Sequence, residues 1–272
     1  MMNRGTILWR LIGIVAVLAT VLLLAGFGYA VKDMLRPGQA ISPIVDDERA
    51  SPSLADQPVI RVTALGDSLT KGTGDSTGEG YVKPAMKHLE EKYGKPVKLL
   101  NNLAINGLRA DQLNEKLGTD KGFQLAIRES DVILMTIGGN DLFAFAAGNE
   151  KGVAANQGQL SMEELNANLA VGTKRLEQTL KRLNELNPNA KIVYVGLYNP
   201  FYDVKDLREG SLQVQAWNKE VYAIIYRYPN MRLVPTFDLF EANLSKYLSS
   251  DHFHPNHEGY AAIAARIAQA IN

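Results

Sequence analysis

Short apolar segments alternate with longer amphipathic ones from about residue 58 to the C-terminus, and this alternation restricts the possible folds most strongly. Five segments are short and almost continuously apolar, which is typical of parallel strands whose sheet is covered by helices on both faces. They are Val59–Leu65, Val97–Leu103, Val132–Ile137, Lys191–Leu197 and Met231–Val234. Because strands alternate with helices, we predict an α/β fold, a three-layer α/β/α sandwich around a central, mostly parallel five-stranded sheet.

The helical segments between the strands are recognised by their period. From about Ser161 to Leu186, apolar residues recur every three or four positions, after a capping-box spacing of Ser161 and Glu164. Further helices are predicted at Val82–Tyr93, Ser211–Tyr226 and Glu258–Ala270. In folds of this kind functional sites form at the carboxyl ends of the strands, so polar residues there are the first candidates for chemistry.

The N-terminal segment differs in composition from the rest of the chain. Leu11 to Val31 contains no charged side chain, Arg4 and Arg10 precede it, and Lys32 ends it. A helix of this length, rising about 1.5 Å per residue, covers the roughly 30 Å hydrocarbon core of a membrane. We therefore predict a signal anchor, a single transmembrane helix, over residues 1–31.

Two alternatives to an anchor stay open. The segment Gly28 to Ala30 offers small residues for cleavage of a signal peptide, and an apolar helix can also be buried in a core. The basic N-terminus is expected to stay in the cytoplasm, which places the remainder outside, although Lys32 and Arg36 lie on the far side. Residues 32–57 are mixed in charge and rich in proline and serine, so we predict a flexible tether there and one domain over 58–272.

Composition excludes several classes of function. Lys and Arg together number 29, as do Asp and Glu, and no basic tract occurs, so the sequence predicts no nucleic-acid partner. The chain has no cysteine, which excludes disulfides, thiolate metal sites and a cysteine nucleophile.

Polar residues in four blocks have catalytic potential. Ser68 follows the first predicted strand in Gly66–Leu69, and Asp251 and His254 lie just before the last predicted helix. A serine hydroxyl is a good nucleophile only when a base takes its proton, and the base works best when a third group orients it. His254 is the candidate base and Asp251 its orienting group; His252 and His257 are rival bases.

Asn140 and Gly107 complete the set. Asn140 follows the third predicted strand, where its side-chain amide can donate a hydrogen bond to an oxyanion. Gly107 follows the second, and its backbone N–H can be approached closely because glycine has no side chain. Each block alone also has a structural explanation: Gly66–Leu69 as an ordinary turn, Asp251 and Asn140 as turn caps, and Gly107 as the entry to a helix.

Taken together, the four blocks resemble the SGNH (GDSL-type) hydrolase family over most of residues 58–272. The blocks are Gly66-Asp67-Ser68-Leu69, the glycine of Ala104-Ile105-Asn106-Gly107, Gly138-Gly139-Asn140-Asp141, and Asp251 with His254. Residues 74–78, Gly-Asp-Ser-Thr-Gly, are similar to a bacterial lipase/acylhydrolase branch. The resemblance implies a flavodoxin-like fold, Ser68, His254 and Asp251 as a catalytic triad, and an oxyanion hole formed by Ser68, Gly107 and Asn140. It implies neither a metal nor an organic cofactor.

The expected function is therefore that of a serine esterase or lipase. The substrate would be a lipid-like or short-to-medium acyl ester at the cell envelope, with the domain on the outer side of a bacterial cell membrane, or secreted if the signal is cleaved. Three alternatives stay open: an O-deacetylase of envelope glycans, a metal-dependent phosphoesterase and a catalytically silent binding domain. The sequence does not predict an oligomeric state.

Other segments have two interpretations each. Leu142–Phe145 is either part of an acyl pocket or an apolar helix start in the core, and Tyr198–Tyr202 is either a substrate loop or packed aromatic structure. Gly148–Gly158 is either a lid or a surface loop. Asp67 and Asp141 are expected to organise their own turns.

Overall fold

The computed structural model describes residues 4–35, 53–143, 162–205 and 208–271. The chain divides into two units, Met1–Arg49 and Ala50–Asn272, which are described separately. Most of the predicted tether, the capping serine Ser161 and the segment Gly148–Gly158, interpreted as a lid or a surface loop, lie outside the described residues.

In the first unit, helix α1 spans Arg4–Leu35. Its segment Trp9–Gly28 has a mean hydropathy of 2.6 and is long and apolar enough to cross a membrane. Apolar side chains along this segment, among them Trp9 and Phe27, are exposed. This length and composition agree with the predicted membrane helix, which a signal sequence would also match.

The second unit is built around five parallel strands, in the spatial order β2-β1-β3-β4-β5. The strands are β1 (Ile60–Gly66), β2 (Val97–Asn102), β3 (Val132–Thr136), β4 (Lys191–Val195) and β5 (Met231–Val234). Strand β2 pairs with one edge of β1, and β3 pairs with the opposite edge. The carboxyl ends of β1 and β3 therefore flank the topological switch point, where α/β sheets form their sites.

Helices cover both faces of this sheet. The longer ones are α3 (Val82–Tyr93), α4 (Ala110–Thr119), α5 (Lys121–Arg128), α7 (Met162–Leu186), α8 (Gly210–Ile225) and α11 (His257–Ala270). The short ones are α2 (Ser68–Lys71), α6 (Gly139–Leu142), α9 (Phe237–Glu241) and α10 (Leu244–Tyr247). A 3-10 turn at Leu54–Asp56 precedes β1. The architecture confirms the predicted three-layer α/β/α sandwich.

Two apolar clusters hold the layers together. On one face α4, α5, α7 and α8 pack on the sheet, with Trp217 fully buried among them. On the other face α3 and α11 pack on it, with Tyr81 and Tyr260 fully buried. Burial of this apolar area, at roughly 25 cal/mol per Å2, is the main stabilising contribution to such a fold.

The prediction that helices cover both faces of every strand is wrong for β2. Every residue of β3 is buried, as expected for a strand covered on both faces, but no residue of β2 is buried and Lys98, Asn101 and Asn102 are exposed. The reason is that β2 forms an edge of the sheet, where helices cover the faces less completely.

Candidate active site

Ser68 is placed by the turn that joins β1 to α2. Asp67 caps α2, since its side chain accepts a hydrogen bond from the N–H of Leu69 at 3.1 Å. Gly66 has φ +134°, and a Cβ there would lie 1.8 Å from the carbonyl oxygen of Thr136 in β3. Only glycine therefore allows β1 to pass β3 closely enough to present Ser68 at the switch point.

A buried polar network holds this turn. The Thr136 hydroxyl donates to Asp67 at 2.6 Å, and the hydroxyls of Thr70 and Thr136 lie 2.7 Å apart. The Thr70 hydroxyl is also 2.7 Å from that of Tyr81, the residue that precedes α3. Burial raises the pKa of Asp67, against the effect of these hydrogen bonds. Asp67 thus organises the serine turn and anchors it to the sheet.

Ser68, His254 and Asp251 form one chain of hydrogen bonds, although 186 positions separate the first two. Nε2 of His254 is 2.8 Å from the Ser68 Oγ, and its Nδ1 is 2.7 Å from the Asp251 Oδ2. The other oxygen, Oδ1, accepts from the N–H groups of Phe253 and His254, each at 2.9 Å. The sequence prediction brought these three residues together, and the structure places them in contact.

The environment of Asp251 favours its charged form. Partial burial would raise its pKa, but hydrogen bonds from the His254 ring and from the two N–H groups outweigh it and hold the pKa well below its ordinary value. A carboxylate that stays ionised is suited to stabilise a positive charge on His254.

Two contacts from outside the loop 251–254 support it. The Tyr198 hydroxyl donates to the carbonyl of Phe253 at 2.6 Å, and Tyr198 itself stacks on Phe240 at 3.9 Å. Gly74 packs against the loop so closely that a Cβ there would lie 2.7 Å from Cβ of His254. Neither residue could be assigned this role from the sequence, because each is remote from the loop along the chain and becomes its neighbour only on folding.

The rival bases lie elsewhere. His252 is exposed, and among the residues that the structure describes its ring is hydrogen-bonded neither to Ser68 nor to Asp251. His257 begins α11, with Nδ1 3.5 Å from Asp75 and 3.2 Å from the Thr77 hydroxyl.

Asn140 lies in the turn after β3, which is packed on Trp217. Gly138 has φ +114°, and a Cβ there would lie 2.1 Å from the Trp217 ring. Trp217 donates to the Tyr194 hydroxyl at 3.1 Å, which in turn donates to the carbonyl of Ile137 at 2.6 Å. These contacts hold the turn in one position. The side chain of Asn140 is buried there, with 8% of its surface exposed.

The segment that carries Gly107 is tied to both neighbouring strands' ends. The N–H of Ile105 donates to the carbonyl of Gly66 at 2.9 Å, and Nδ2 of Asn140 donates to the carbonyl of Leu108 at 3.0 Å. Gly107 has φ +74°, a conformation that favours glycine. The amide of Asn140 has two N–H donors, and Leu108 occupies one; the other has no acceptor among the residues that the structure describes and can serve a ligand.

Asp141 was expected from the sequence to organise its own turn, but its side chain bonds to a different element. Its Oδ2 accepts a hydrogen bond at 2.8 Å from the N–H of Ala110, the first residue of α4. Its Oδ1 is 3.7 Å from a guanidinium nitrogen of Arg175. Burial raises the pKa of Asp141 to about 6, partly opposed by the Ala110 hydrogen bond and by Arg175.

Two depressions adjoin the site. A small, mainly apolar pocket is lined by Leu69 and Gly139, which neighbour Ser68 and Asn140 in the chain, and by Phe143, Leu197, Pro200 and Phe253. A more open groove with both polar and apolar surface begins at Ile105–Leu108 and follows one face of α4, along Gln112, Glu115, Lys116, Thr119 and Asp120.

The two apolar segments Leu142–Phe145 and Tyr198–Tyr202 contribute both to the core and to the small pocket. Phe143 is buried and also contributes to the apolar pocket, whereas the end of the segment Leu142–Phe145 lies outside the described residues. Tyr198 and Phe201 are buried, so the loop after β4 is packed aromatic structure with Pro200 at the pocket.

Comparison with known proteins identifies the family. The model of the GDSL-like lipase/acylhydrolase family matches residues 64–262, most of the second unit and the four blocks of the sequence analysis. The chain belongs to this family. It is a bacterial SGNH hydrolase and a carboxylic ester hydrolase, as the sequence analysis expected.

Two relatives in Bacillus species extend this result. The chain is 38% identical over 216 residues to the uncharacterized protein YpmR of Bacillus subtilis, covering 78% of this chain and 81% of YpmR. It is 26% identical over 212 residues to the spore germination lipase LipC of Bacillus licheniformis, covering 78% of this chain and 96% of LipC.

Solved structures share the fold of this GDSL hydrolase. The lipase Lip_vut3 from a goat rumen metagenome has a TM-score of 0.66 and 23% identity, over 77% of this chain and 96% of that one. A catalytic mutant of Axe2, an acetylxylan esterase from Geobacillus stearothermophilus, has a TM-score of 0.57 and 18% identity, over 78% and 94%.

Proposed function

We propose that this hydrolase is a serine esterase in which Ser68 is the nucleophile, His254 the general base and Asp251 the group that orients the base. The observation that carries the proposal is the unbroken contact from the Ser68 Oγ to His254 at 2.8 Å and from His254 to Asp251 at 2.7 Å. Both distances are those of strong hydrogen bonds, and the order of groups is that required for a base-activated hydroxyl.

In the first half of the reaction, Nε2 of His254 takes the proton of the Ser68 hydroxyl while Oγ attacks the ester carbonyl carbon. Asp251 accepts a hydrogen bond from Nδ1–H and stabilises the imidazolium that forms. His254 then gives the proton to the leaving alcohol oxygen as its bond to carbon breaks, which leaves an acyl-enzyme. In the second half, His254 activates water in the same way, and Ser68 leaves with its proton restored.

The negative charge on the carbonyl oxygen is assigned to three donors. Ser68 is the first residue of α2, so its N–H has no partner within the helix and is available. Gly107 N–H and the second amide N–H of Asn140 are the other two. Loss of one such donor typically lowers kcat by about 10²–10³.

Acyl esters of short to medium chain length are the proposed substrates, and the apolar lining of the small pocket next to Leu69 and Gly139 supports an acyl group there. Its walls at Leu69, Phe143 and Phe253 bury apolar surface of an acyl chain, which contributes roughly 0.8 kcal/mol per CH2 group. An apolar helix long enough to span a membrane precedes the domain, and it supports a location at the cell envelope with the domain outside.

A second candidate is removal of O-acetyl groups from envelope glycans. The groove along α4 favours it, since its amide, hydroxyl and carboxylate groups are suited to bind hydroxylated substrates. In this case the small pocket would hold only the acetyl group.

The reaction type is tested by labelling the full-length chain with a fluorophosphonate. The wild type and the control Ser76→Ala, which removes an exposed hydroxyl in the loop after α2, should be labelled, whereas Ser68→Ala should not. Labelling that persists in Ser68→Ala would overturn the assignment. Chelator-sensitive phosphatase activity of an unlabelled protein would favour the metal-dependent alternative.

The substrate class is tested with p-nitrophenyl esters from acetate to palmitate. A maximum of kcat/KM at butyrate to octanoate is expected from the apolar pocket, a maximum at acetate would favour the glycan alternative, and no cleavage of any ester would contradict both. Location is tested by protease added outside intact cells, which should release the domain. Full protection would contradict the outward orientation.

A further inference from the structure

Asn140 and Asp141 are neighbours in the chain and hold the same short segment. Nδ2 of Asn140 donates to the carbonyl of Leu108 at 3.0 Å, and Oδ2 of Asp141 accepts from the N–H of Ala110 at 2.8 Å. The two side chains thus grip the segment just after Gly107 at two points, one through a donor and one through an acceptor. The turn after β3 and the entry to α4 are thereby joined.

The position of Asp141 is fixed from the other side by α7. Its side chain is fully buried, and a Cβ on Gly172 would lie 2.9 Å from Cβ of Asp141. Arg175, one turn further along α7, has a guanidinium nitrogen 3.7 Å from Oδ1. Because that oxygen has no hydrogen-bond partner among the residues that the structure describes, only Oδ2 is committed to a short contact.

A buried carboxylate with a single hydrogen bond destabilises a fold, so its presence beside the site calls for a functional reason. We propose that Asp141 is a positioning residue, which acts through the N–H of Ala110 to hold Gly107 and Asn140 at the separation that an oxyanion requires. This proposal rests on the proposed function, since it assigns a role toward the donors named there. Asp141 itself touches neither the substrate nor the reacting atoms.

The decisive property is the acceptor and not the charge. Asp141→Asn keeps an oxygen that can accept from Ala110, whereas Asp141→Ala leaves that buried N–H without a partner and frees the segment to move. With full-length protein and the p-nitrophenyl ester that the wild type cleaves fastest, we expect Asp141→Ala to lower kcat by about 30-fold. Asp141→Asn should stay within about 5-fold of the wild type.

The KM should remain within about 2-fold in both variants, because an oxyanion forms only in the transition state. Asp111→Ala is the matched control: Asp111 also lies 3.6 Å from Arg175, but within the part of the chain that the structure describes it is hydrogen-bonded neither to Leu108 nor to Asn140. Its kcat should change less than about 2-fold.

A double-mutant cycle separates positioning from a general structural role. If Asp141 acts through the oxyanion donors, Asp141→Ala should cost less than about 5-fold in an Asn140→Ala background, against 30-fold in the wild type. Equal cost in both backgrounds, or a rise in KM with unchanged kcat, would overturn the inference. If Asn140→Ala itself left kcat unchanged, the proposed oxyanion assignment would fail, whereas a large loss in Asn140→Ala with none in Asp141→Ala would reject the positioning role alone.

Discussion

The loop that carries Asp251 and the turn that carries Asp141 both support groups of the proposed reaction, yet the two carboxylates have opposite environments. The side chain of Asp251 is 39% exposed and accepts hydrogen bonds from Ser249, Phe253 and His254, and those from Phe253 and His254 hold its pKa low. Asp141 is fully buried with one hydrogen bond, and its pKa is raised to about 6.

The contrast indicates two uses of a carboxylate. Asp251 has partners for both oxygens, so its charge is retained when a positive imidazole forms beside it. Asp141, in α6, is buried between α4 and α7 and has no contact with water. Its negative charge therefore lowers the stability of the fold. One region is built for electrostatics, and the other for geometry.

The largest expected effect concerns Asp251. Replacing Asp251 with Asn removes the charge that stabilises the imidazolium and allows the wrong tautomer of His254, so kcat should fall by about 10³–10⁴. The measurement is kcat of the full-length protein on its best p-nitrophenyl ester. Ser249→Ala removes one of four hydrogen bonds to the same carboxylate and should cost less than about 10-fold. Retention of a tenth of the activity in Asp251→Asn would refute the assigned role.

The next effect concerns stability at Asp141. Burial raises the folded-state pKa of this group from 3.8 to about 6, so the folded protein binds a proton that the unfolded chain has lost between these pH values. The free energy of unfolding therefore falls as pH rises through this window, by about 3 kcal/mol for this group. Arg175, Arg109 and Asp111 are the charged groups that face it, and Asp141→Asn removes the titration.

Thermal unfolding at pH 4 and pH 7 measures this difference. The Tm of Asp141→Asn minus that of the wild type should increase by about 6–12 °C between the two pH values, given about 2–4 °C per kcal/mol for a domain of this size. A constant Tm difference would show that the carboxylate keeps an ordinary pKa and would remove the contrast with Asp251.

Two glycines test whether close packing positions the loop that carries Asp251 and His254. Gly74 and Gly78 both have positive φ, at +94° and +69°, but a Cβ at 74 would lie 2.6 Å from the Pro255 oxygen and 2.7 Å from Cβ of His254, whereas Gly78 faces open space. In both alanine variants, backbone strain should lower the free energy of unfolding by about 1–2 kcal/mol. Only Gly74→Ala should also displace His254 and lower kcat, by about 10–100-fold. Equal kcat values in the two variants would show that the loop does not position His254.

Much of this architecture could be predicted from the sequence. The five strands and four longer helices have strong periodic patterns, and the candidate roles of Ser68, Asn140 and His254 are inferred from their motifs. The exposure of β2 was missed, although Lys98, Asn101 and Asn102 within the segment indicate an edge strand. Helix α4 was missed because only Ala110, Leu113 and Leu117 form its apolar face, and the remaining residues are polar.

The supports of the site could not be predicted in this way. Tyr198, Gly74 and Arg175 have ordinary local sequence surroundings, and each contacts a site segment that lies far away along the chain. Their roles depend on how close two surfaces come after folding, which periodicity does not report. The role of Asp141 was misread for the same reason, since its partner Ala110 belongs to another element.

The smallest expected effect concerns His252, which lies between the two triad candidates Asp251 and His254. It is the one non-glycine residue with positive φ among those that the structure describes, at 53°. A left-handed conformation costs a residue with a side chain roughly 1–2 kcal/mol, and backbone strain of this kind tends to concentrate at functional sites. Part of that cost is offset because glycine loses more entropy on folding.

We therefore expect His252→Gly to raise Tm by about 1–3 °C, with kcat within about 2-fold of the wild type. His252→Ala keeps the strained φ and should leave Tm within about 1 °C, so it is the matched control for loss of the exposed imidazole. If both variants lowered kcat by more than 10-fold, the exposed ring would have a part in the reaction, and the distinction between the imidazoles at 252 and 254 would be wrong. If glycine alone lowered kcat, the strained backbone itself would be what holds His254 toward Ser68.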